Sequence, residues 1–203
     1  MFITFEGGEG CGKSCQARAL HRLIVKKTIP AVLTHEPGGT ALGENITRWL
    51  KWRGDVSISP AGELLLFSAS RNQLVDEVVT PNLENGNVVI CDRFYDSTLA
   101  YQGYGRGLDL DLIKKLNELS TGGLKPTLTV LLDIPAAEGL ARKNKERIDR
   151  FEKETIVFHE QVRQGYLQLA RNEPRRFLVV DALLTKKVIA GIIWDRVQRL
   201  ISL

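Results

Sequence analysis

The amino-acid sequence predicts an α/β fold in which a five-stranded parallel sheet lies between two layers of helices. Short runs of apolar and β-branched residues alternate along the chain with segments whose apolar residues recur at helical spacing. The first run leads into a glycine-rich turn, and polar, glycine-containing segments follow the second and third runs. Strands that alternate with helices in this way form parallel sheets covered on both faces.

The predicted strands are recognised by composition and by the residues at their ends. The first is apolar and directly precedes the glycines, the second follows Pro30, and the third ends at Asp92. The last two are β-rich runs separated by a charged helical stretch. In chain order, the predicted strands cover residues 2–6, 31–34, 87–91, 128–134 and 177–180.

The predicted helices follow from the spacing of their apolar residues. The first begins at Ser14, directly after the glycine-rich turn, and the last is an amphipathic segment near the end of the chain. In chain order, the predicted helices cover residues 14–28, 40–52, 61–84, 96–101, 109–119 and 186–201.

Composition limits the possible classes of protein. With 203 residues, 43% of them hydrophobic, we expect one domain over residues 1–203. The net charge of +4 suits anionic ligands, but no basic run with interleaved aromatic residues supports polynucleotide binding. Three cysteines, Cys11, Cys15 and Cys91, form no paired framework; Cys11 and Cys15, which flank the phosphate loop, are expected to pack as small apolar groups, with reaction with oxidants as the alternative. The early glycine-rich turn and the lack of a long apolar stretch predict a cytoplasmic protein without membrane contact.

The segment FEGGEGCGKS, residues 5–14, carries the strongest motif of the chain. Gly7, Gly12, Lys13 and Ser14 fit the phosphate-loop pattern Gly-x4-Gly-Lys-Ser/Thr, between a predicted strand and a predicted helix. Glycines allow backbone N–H groups to face phosphate oxygens, the lysine reaches the outer phosphates and the hydroxyl can hold Mg²⁺. A chance lysine after a glycine-rich turn is the alternative, and the strand and helix in register argue against it. The predicted fold is therefore P-loop NTPase-like.

Polar segments at the ends of the predicted strands indicate where ligands bind. THEPGGT follows the second strand and CDRFYDSTLAYQGYGR includes the end of the third, and both should face one cleft at the carboxyl edge of the sheet. Asp92 should lie beside Ser14 and contribute to a Mg²⁺ site. Arg93 is placed to neutralise charge on a phosphoryl group during transfer. A surface ion pair is the alternative interpretation of Asp92 and Arg93.

The stretch ARKNKERIDR, residues 141–150, holds five basic and two acidic residues. It follows the fourth strand closely, so we expect a basic lid over residues 139–152 that can bring Arg142, Arg147 or Arg150 onto ATP. Such a lid would exclude water from a transferring phosphoryl group. A solvated helix face is the alternative interpretation of this charge run.

Five motifs in a fixed order make the sequence similar to the thymidylate kinase family, nearly from end to end. They are FEGGEGCGKS, EPGGT, LLLFSASRNQ, CDRFYDSTLAYQGYGR and DRFE. The basic lid and the phosphate loop without arginine resemble the bacterial type. The resemblance implies ATP-dependent phosphorylation of dTMP to dTDP with Mg²⁺, and a homodimer formed through apolar helix faces, with Trp49, Trp52 and Trp194 placed there or in the core.

The resemblance also implies the site residues. Phe67 would stack on the pyrimidine, Arg71 would donate to thymine O4, and the Gln102 carbonyl would accept from N3, a pattern that cytosine reverses. For Phe67 and Tyr101, core packing is the alternative. The catalytic residues implied are Lys13, Arg93, Glu9, Arg147 and Arg150; those that bind ATP are Gly7, Gly8, Glu9, Gly10, Cys11, Gly12, Lys13, Ser14, Cys15 and Arg142; those that bind dTMP are Glu9, Glu36, Pro37, Arg48, Phe67, Arg71, Arg93, Ser97, Thr98, Tyr101 and Gln102; the metal ligands are Ser14 and Asp92.

Three positions depart from the family pattern. His35 stands where an arginine is common, which predicts weaker phosphate binding unless another arginine compensates. Ser70 replaces a common aspartate, which predicts a less restrained Arg71, and Cys15 replaces a common threonine. We also expect that the Glu36–Pro37 bond can be cis.

Two other functions remain open at this point. A kinase for another nucleoside monophosphate would share most of these features. A nucleotide-dependent switch would need an Asn-Lys-x-Asp motif, but Asn144-Lys145 is followed by Glu146-Arg147.

Overall fold

The computed structural model of the chain describes residues 1–53, 56–143 and 149–201. In this part of the chain the strands are β1 (Phe2–Glu6), β2 (Ala31–His35), β3 (Val88–Asp92), β4 (Leu128–Asp133) and β5 (Phe177–Asp181). They form one parallel sheet in the order β2-β3-β1-β4-β5. The predicted five-stranded parallel sheet is confirmed, with every strand boundary within about one residue of its prediction.

Helices connect the strands and cover both faces of the sheet. Their bounds are α1 (Lys13–Lys26), α2 (Ala41–Trp52), α3 (Pro60–Leu74), α4 (Thr80–Glu84), α5 (Tyr95–Thr98), α6 (Leu110–Thr121), α7 (Ala136–Ala141), α8 (Ile156–Asn172) and α9 (Lys186–Ile201). The ends of several helices are set by local chemistry: the Thr40, Ser59 and Thr155 side chains accept hydrogen bonds from the first turns of α2, α3 and α8.

Alternation along the strands sends side chains into two separate cores. Phe2 packs with Leu64, Phe94 and Tyr166 on one face of the sheet, whereas Ile3 packs on the other face with residues of α1 and α9. Both faces are apolar, as expected for a parallel sheet between two helix layers. Cys11 is buried in one of these cores, in agreement with its expected packing role, whereas Cys15 is only partly buried; Cys91 is buried in the other core.

The strand register brings the polar residues at the carboxyl ends of the strands to one edge. Asp92 of β3 lies level with Phe5 of β1 and with His35 of β2, and Glu6 lies level with Leu131 of β4. The phosphate loop and the segments after β2 and β3 therefore leave the sheet side by side, as the strand order requires.

The helix predicted over residues 61–84 is interrupted. A π-helical segment, Val75–Val79, separates α3 from α4, and the Thr80 N–H donates to the Val75 carbonyl five residues back. Pro81 follows at once and has no N–H to continue the regular hydrogen-bond pattern. Helical spacing alone did not reveal this change of pitch.

A second π-helical segment, Leu99–Gly105, extends the helix that was predicted to end at Tyr101. An added Cβ at Gly103 would lie 2.4 Å from the Leu110 side chain, and one at Gly105 would lie 2.6 Å from the Phe158 ring. Small residues are therefore needed where this segment packs against its neighbours. None of the described helices has the length and hydrophobicity that crossing a bilayer requires.

Candidate active site

The phosphate loop connects the end of β1 to the start of α1. Gly12 is the N-cap residue of α1 and has a φ of 94°, in the left-handed region that favours glycine. Its carbonyl accepts hydrogen bonds from the Cys15 and Gln16 N–H groups, which begin the helix. The positive end of α1 is thus directed at the loop, where it favours anions.

The Lys13 side chain lies back over the loop. Its Nζ donates to the Gly7 carbonyl at 3.0 Å and to the Gly8 carbonyl at 2.7 Å, and lies 3.5 Å from the Cys11 sulfur. The side chain is buried. One positive charge is therefore held at the centre of the loop.

A cleft with a volume of about 670 Å³ opens beside the phosphate loop. Ser14 and Asp92 both line it, as predicted, and the Asp92 carboxylate forms no ion pair with any described residue. A hydroxyl and a free carboxylate fit Mg²⁺, which keeps waters and substrate phosphates as its other ligands. In the described part of the chain, no cluster of three or more His, Cys, Asp or Glu side chains offers an alternative metal site.

Arg93 follows β3 with a backbone φ of 71°, which is unusual for a residue with a side chain. The guanidinium is fully engaged by the walls of the site. Nη2 donates to Glu9 Oε1 at 2.8 Å and to the Tyr101 hydroxyl at 3.1 Å, and Nη1 donates to the Gly7 carbonyl at 3.1 Å, the Tyr166 hydroxyl at 3.1 Å and Ser97 Oγ at 3.3 Å. These bonds direct the charge to the point where the phosphate loop meets the segment after β3.

Glu6, the last residue of β1, supports Arg93 from behind. Its Oε1 accepts from the Phe94 N–H at 2.8 Å, and its Oε2 accepts from the hydroxyls of Ser97 at 2.7 Å and Tyr166 at 2.9 Å. Burial, together with the nearby Asp96 carboxylate, raises the pKa of Glu6 to about 7. Sequence analysis did not select Glu6, because an acidic residue that closes an apolar strand has no motif of its own.

Glu9 has the opposite electrostatic environment. Burial raises the pKa of its carboxyl, but the Arg93 and Lys13 charges and the Tyr101 hydroxyl outweigh burial and hold the pKa well below its usual range. The Tyr101 hydroxyl donates to Glu9 Oε1 at 2.7 Å. Glu9 is thus an ionised acceptor on the wall shared by the phosphate loop and the next pocket.

The predicted base pocket lies next to the cleft. Phe67, Tyr101, Gln102, Ser97 and Thr98 line it, together with Glu9, Glu36, Pro37, Arg93 and three residues that were not predicted, Lys51, Asp149 and Phe151. The Phe67 and Phe151 ring centroids are 5.8 Å apart, and the cavity between the walls is only about 30 Å³. In this conformation the space beside the Phe67 ring is narrow.

Gln102 is oriented by a neighbouring carboxylate. Its Nε2 donates to Glu63 Oε1 at 2.7 Å, and the Glu63 side chain also pairs with Arg106 and Arg150. Because the amide N–H group is used in this way, the carbonyl oxygen is the group that Gln102 can offer to a ligand.

Arg71 does not line the base pocket. It is completely buried, with Nε and Nη2 bonded to the Glu36 carboxylate and Nη1 bonded to Asn117 Oδ1. The expectation that Ser70 leaves Arg71 poorly restrained is wrong, because Glu36 and Asn117 hold it; Ser70 Oγ instead accepts from the Gly38 N–H. The adjacent Glu36–Pro37 bond is cis, as expected.

Arg48 and the two described lid arginines, Arg142 and Arg150, do not line the cleft or the base pocket. Arg48 is exposed on α2 and donates to Asn45 Oδ1, Arg142 donates to the Ala182 carbonyl, and Arg150 donates to the Leu50 carbonyl and to Glu63. Arg147, with the rest of residues 144–148, lies outside the described part of the chain.

Two lysines that the motifs did not indicate lie in the cleft. Lys143 pairs with Glu152 and lies 3.9 Å from Glu9, and Lys51 of α2 lies 3.9 Å from Asp149. Lys143 belongs to the basic stretch in which only the arginines were singled out, and Lys51 was missed because a lone lysine on a helix has no distinguishing pattern. The DRFE motif was the available signal for Asp149, Phe151 and Glu152.

His35 lines the phosphate-loop cleft but remains half exposed. Its Nε2 lies 3.2 Å from Glu44 Oε1, and its Nδ1 lies 3.2 Å from the Pro37 carbonyl. Both ring nitrogens of His35 thus face partners on the cleft wall.

Two adjacent compartments that share one wall define the class of this protein. The phosphate loop provides one of them, an aromatic-walled pocket provides the other, and Arg93 and Glu9 stand between the two. That is the arrangement of a P-loop phosphotransferase acting between two nucleotides.

Comparisons with known proteins identify the family. The family model for thymidylate kinase matches residues 5–192. The chain is 54% identical to a thymidylate kinase of Dehalococcoides mccartyi over 100% of this chain and 98% of that protein, and 46% identical to one of Desulforudis audaxviator over 100% and 92%. A crystal structure of thymidylate kinase from Ehrlichia chaffeensis has a TM-score of 0.78 and 34% identity, covering 96% of this chain and 97% of that one. The chain belongs to the thymidylate kinase family.

Proposed function

We propose that this member of the thymidylate kinase family transfers the γ-phosphoryl group of ATP to dTMP, releasing ADP and dTDP, at the junction of the two compartments. The observation that carries this proposal is the position of Arg93, which contacts the phosphate loop at Gly7 and the aromatic pocket at Tyr101. A group at that junction can touch the donor and the acceptor at once.

On the donor side, ATP would lie along the phosphate loop. Its phosphates would accept from the loop's backbone N–H groups and from Lys13, whose contacts with the Gly7 and Gly8 carbonyls keep it beside the loop. Ser14 and Asp92 would hold Mg²⁺, which when bound neutralises phosphate charge and orients the outer phosphates. The ATP contacts implied for Gly10, Cys11, Cys15 and Arg142 belong to the same proposal.

On the acceptor side, the thymine ring would lie on Phe67, with Phe151 and Tyr101 as the other aromatic walls. The Gln102 carbonyl would accept from thymine N3. Arg71 would act mainly by holding Glu36 in place, and its two remaining N–H groups would reach O4 only where the pocket opens toward this buried side chain. The proposed role of Gln102 is supported by Glu63, because Glu63 binds the NH₂ group of the Gln102 amide and leaves its carbonyl oxygen free.

The transfer step needs no general base, because the attacking oxygen of the dTMP phosphate is already anionic. That oxygen forms the new P–O bond as the bond between the γ-phosphorus and the bridging oxygen breaks, and the electron pair leaves with ADP. Lys13 and Arg93 would share the charge that develops on the moving group. Residues 139–152 would serve as the lid, and Arg147, Arg150 and Lys143 are its candidate contributors of further positive charge.

An acceptor panel tests the proposal. ADP release is measured by a coupled assay with ATP, Mg²⁺ and dTMP, dUMP, dCMP, dGMP or dAMP in turn. We expect the highest kcat/KM with dTMP and only background ADP release without an acceptor. Preference for another monophosphate, or equal ADP release without acceptor, would contradict it.

We further infer that the chain forms a homodimer through the exposed face of α3 and α6. Leu65 of α3 is 57% exposed, and Leu112 and Leu119 of α6 are 50% and 74% exposed. The two helices run side by side, since Asn72 of α3 bonds to Ser120 of α6. Sedimentation velocity should give the mass of a dimer for the natural chain and of a monomer for Leu119→Glu; a monomeric natural chain would contradict the inference.

A further inference from the structure

The acceptor phosphate must lie where the two compartments meet, because the base is held in one and the phosphate loop belongs to the other. Among the described residues, those that line both cavities are Glu9, Glu36, Pro37, Lys51, Arg93 and Asp149. Lys51 and Arg93 are the cations of this set. A dianionic phosphate placed there meets three carboxylates, those of Glu9, Glu36 and Asp149, and needs positive charge from these two cationic side chains.

Arg93 has few donors to spare. Its two terminal nitrogens already donate to five partners on the surrounding walls. Rotation of the guanidinium toward a new anion would break several of these bonds and release Glu9 from its ion pair. Arg93 can add a contact to a phosphate, but it cannot supply the whole charge on that side.

Lys51, in contrast to Arg93, has donors available for a new anion. Its Nζ lies 3.9 Å from Asp149 Oδ2, beyond hydrogen-bond distance, and its side chain is 29% exposed. An ammonium group has three donors and a flexible stem, so it can turn to a phosphate without breaking any short bond to a described residue. Its charge already reaches the site, since it helps to lower the pKa of Glu9.

The backbone around Lys51 is held by the segment that carries Asp149. The Arg150 N–H donates to the Lys51 carbonyl at 3.3 Å, and Arg150 Nε donates to the Leu50 carbonyl at 3.0 Å. The end of α2 is therefore docked against residues 149–151, and the lysine projects from it toward the junction.

The family resemblance implied that Arg48 and Arg93 hold this phosphate, and of these two only Arg93 lines both cavities. Arg48, one turn earlier on α2, is exposed and bonded to Asn45, and His35 is 53% exposed beside Glu44. Residues three apart on a helix share a general direction but not a position, so Arg48 does not reach the junction that Lys51 lines.

We propose that Lys51 binds the phosphate group of the acceptor nucleotide, exchanging its loose pairing with Asp149 for direct contact with phosphate oxygens. The assignment rests on the proposed function, because it takes a nucleoside monophosphate as the acceptor. It adds a phosphate-binding residue on α2 that no motif in the sequence indicated.

Calorimetric titration of dTMP and of thymidine, which lacks the phosphate, separates this role from a structural one. For Lys51→Met we expect the Kd of dTMP to rise about 10- to 100-fold, the usual range for a lost charge-assisted contact, and the Kd of thymidine to change less than twofold. Lys51→Arg should recover part of the dTMP affinity. Lys187→Met, at an exposed lysine of α9 outside both cavities, is the control and should bind both ligands normally.

Unchanged dTMP binding in Lys51→Met would overturn the proposal, and so would an equal loss for dTMP and thymidine, which would indicate a structural role. Turnover of the natural chain with dTMP shows whether the role of Lys51 or the proposed function has failed. If the natural chain phosphorylates dTMP while Lys51→Met binds it normally, only the role of Lys51 fails; if the natural chain does not phosphorylate dTMP, the proposed function fails first.

Discussion

The backbone of Arg93 has a φ of 71°, a conformation that costs a residue with a side chain about 1–3 kcal/mol. The structure compensates with bonds on either side: the Arg93 N–H donates to the Phe5 carbonyl, and the Phe94 N–H donates to Glu6. Strain of this kind persists where the surroundings fix one geometry. At the scale of single residues, the site depends on how firmly a few side chains are held.

Arg93→Ala should therefore affect the chemical step more than binding. We expect kcat to fall about 10³-fold, in the range found for arginines that stabilise phosphoryl transfer, with the KM for ATP changed only modestly. Steady-state kinetics with dTMP as acceptor make the measurement. Arg93→Lys, which keeps the charge but loses the forked geometry, should be intermediate; near-normal turnover of Arg93→Ala would remove this residue from its proposed role.

Gln102→Ala tests base recognition at the same scale. Glu63 keeps its pairings with Arg106 and Arg150 when the amide is removed, so the pocket wall should survive. Without the carbonyl, the ratio of kcat/KM for dTMP to that for dCMP should fall about 10-fold or more. The same ratio in the variant as in the natural chain would refute the proposed contact with thymine N3.

At the scale of elements, the phosphate loop is shaped by a helix that does not belong to its motif. An added Cβ at Gly139 of α7 would lie 2.3 Å from the Glu9 carbonyl, and one at Gly10 would lie 1.9 Å from the Gly139 carbonyl. The loop and α7 approach so closely that neither position has room for a side chain. The backbone of α7 therefore packs directly against the phosphate loop, and the predicted lid begins near the end of this helix.

Gly139→Ala should displace the phosphate loop although alanine favours helix formation. We expect the KM for ATP to rise several-fold and Tm to fall, because backbone rather than a flexible side chain occupies the space. Gly191→Ala on α9 is the matched control, since nothing lies within 4 Å of its added Cβ, and it should stabilise the chain by about 0.5–1 kcal/mol. Equal Tm shifts in the two variants would show that the contact with Glu9 has no effect.

At the scale of the whole molecule, buried ionisable groups connect distant elements. Glu6 joins β1 to α5 through Ser97 and to α8 through Tyr166, and Arg176 joins the end of α8 to Asp96 of α5. Such networks specify one arrangement of the elements, but they make stability depend on protonation.

The raised pKa of Glu6 predicts a measurable pH dependence of stability. Its pKa is raised from 4.5 to about 7 in the folded chain, so between these values the unfolded chain loses the proton first and the free energy of unfolding falls as pH rises. The loss from this group is on the order of 3 kcal/mol and is complete above pH 7. Glu6→Gln, which stays neutral, should lack it.

Chemical denaturation of both chains from pH 4 to pH 8 measures the effect. The difference in unfolding free energy between Glu6→Gln and the natural chain should grow in favour of the variant as pH rises, because groups common to both chains cancel. A constant difference over this range would show that Glu6 has an ordinary pKa in the folded chain.

The sequence by itself determined the sheet and the phosphate loop. It also indicated Lys13, Arg93, Phe67 and Gln102 as candidate site residues, because each belongs to a local pattern or a recognisable motif. Tertiary structure alone decided the placement of cations and carboxylates: Lys51 and Lys143 line the cleft, Arg48 faces solvent, and Arg71 is buried against Glu36. The physical reason is that a pattern of neighbours in sequence sets an element and its apolar face, whereas the partner of a long charged side chain is set by elements that only the folded chain brings together.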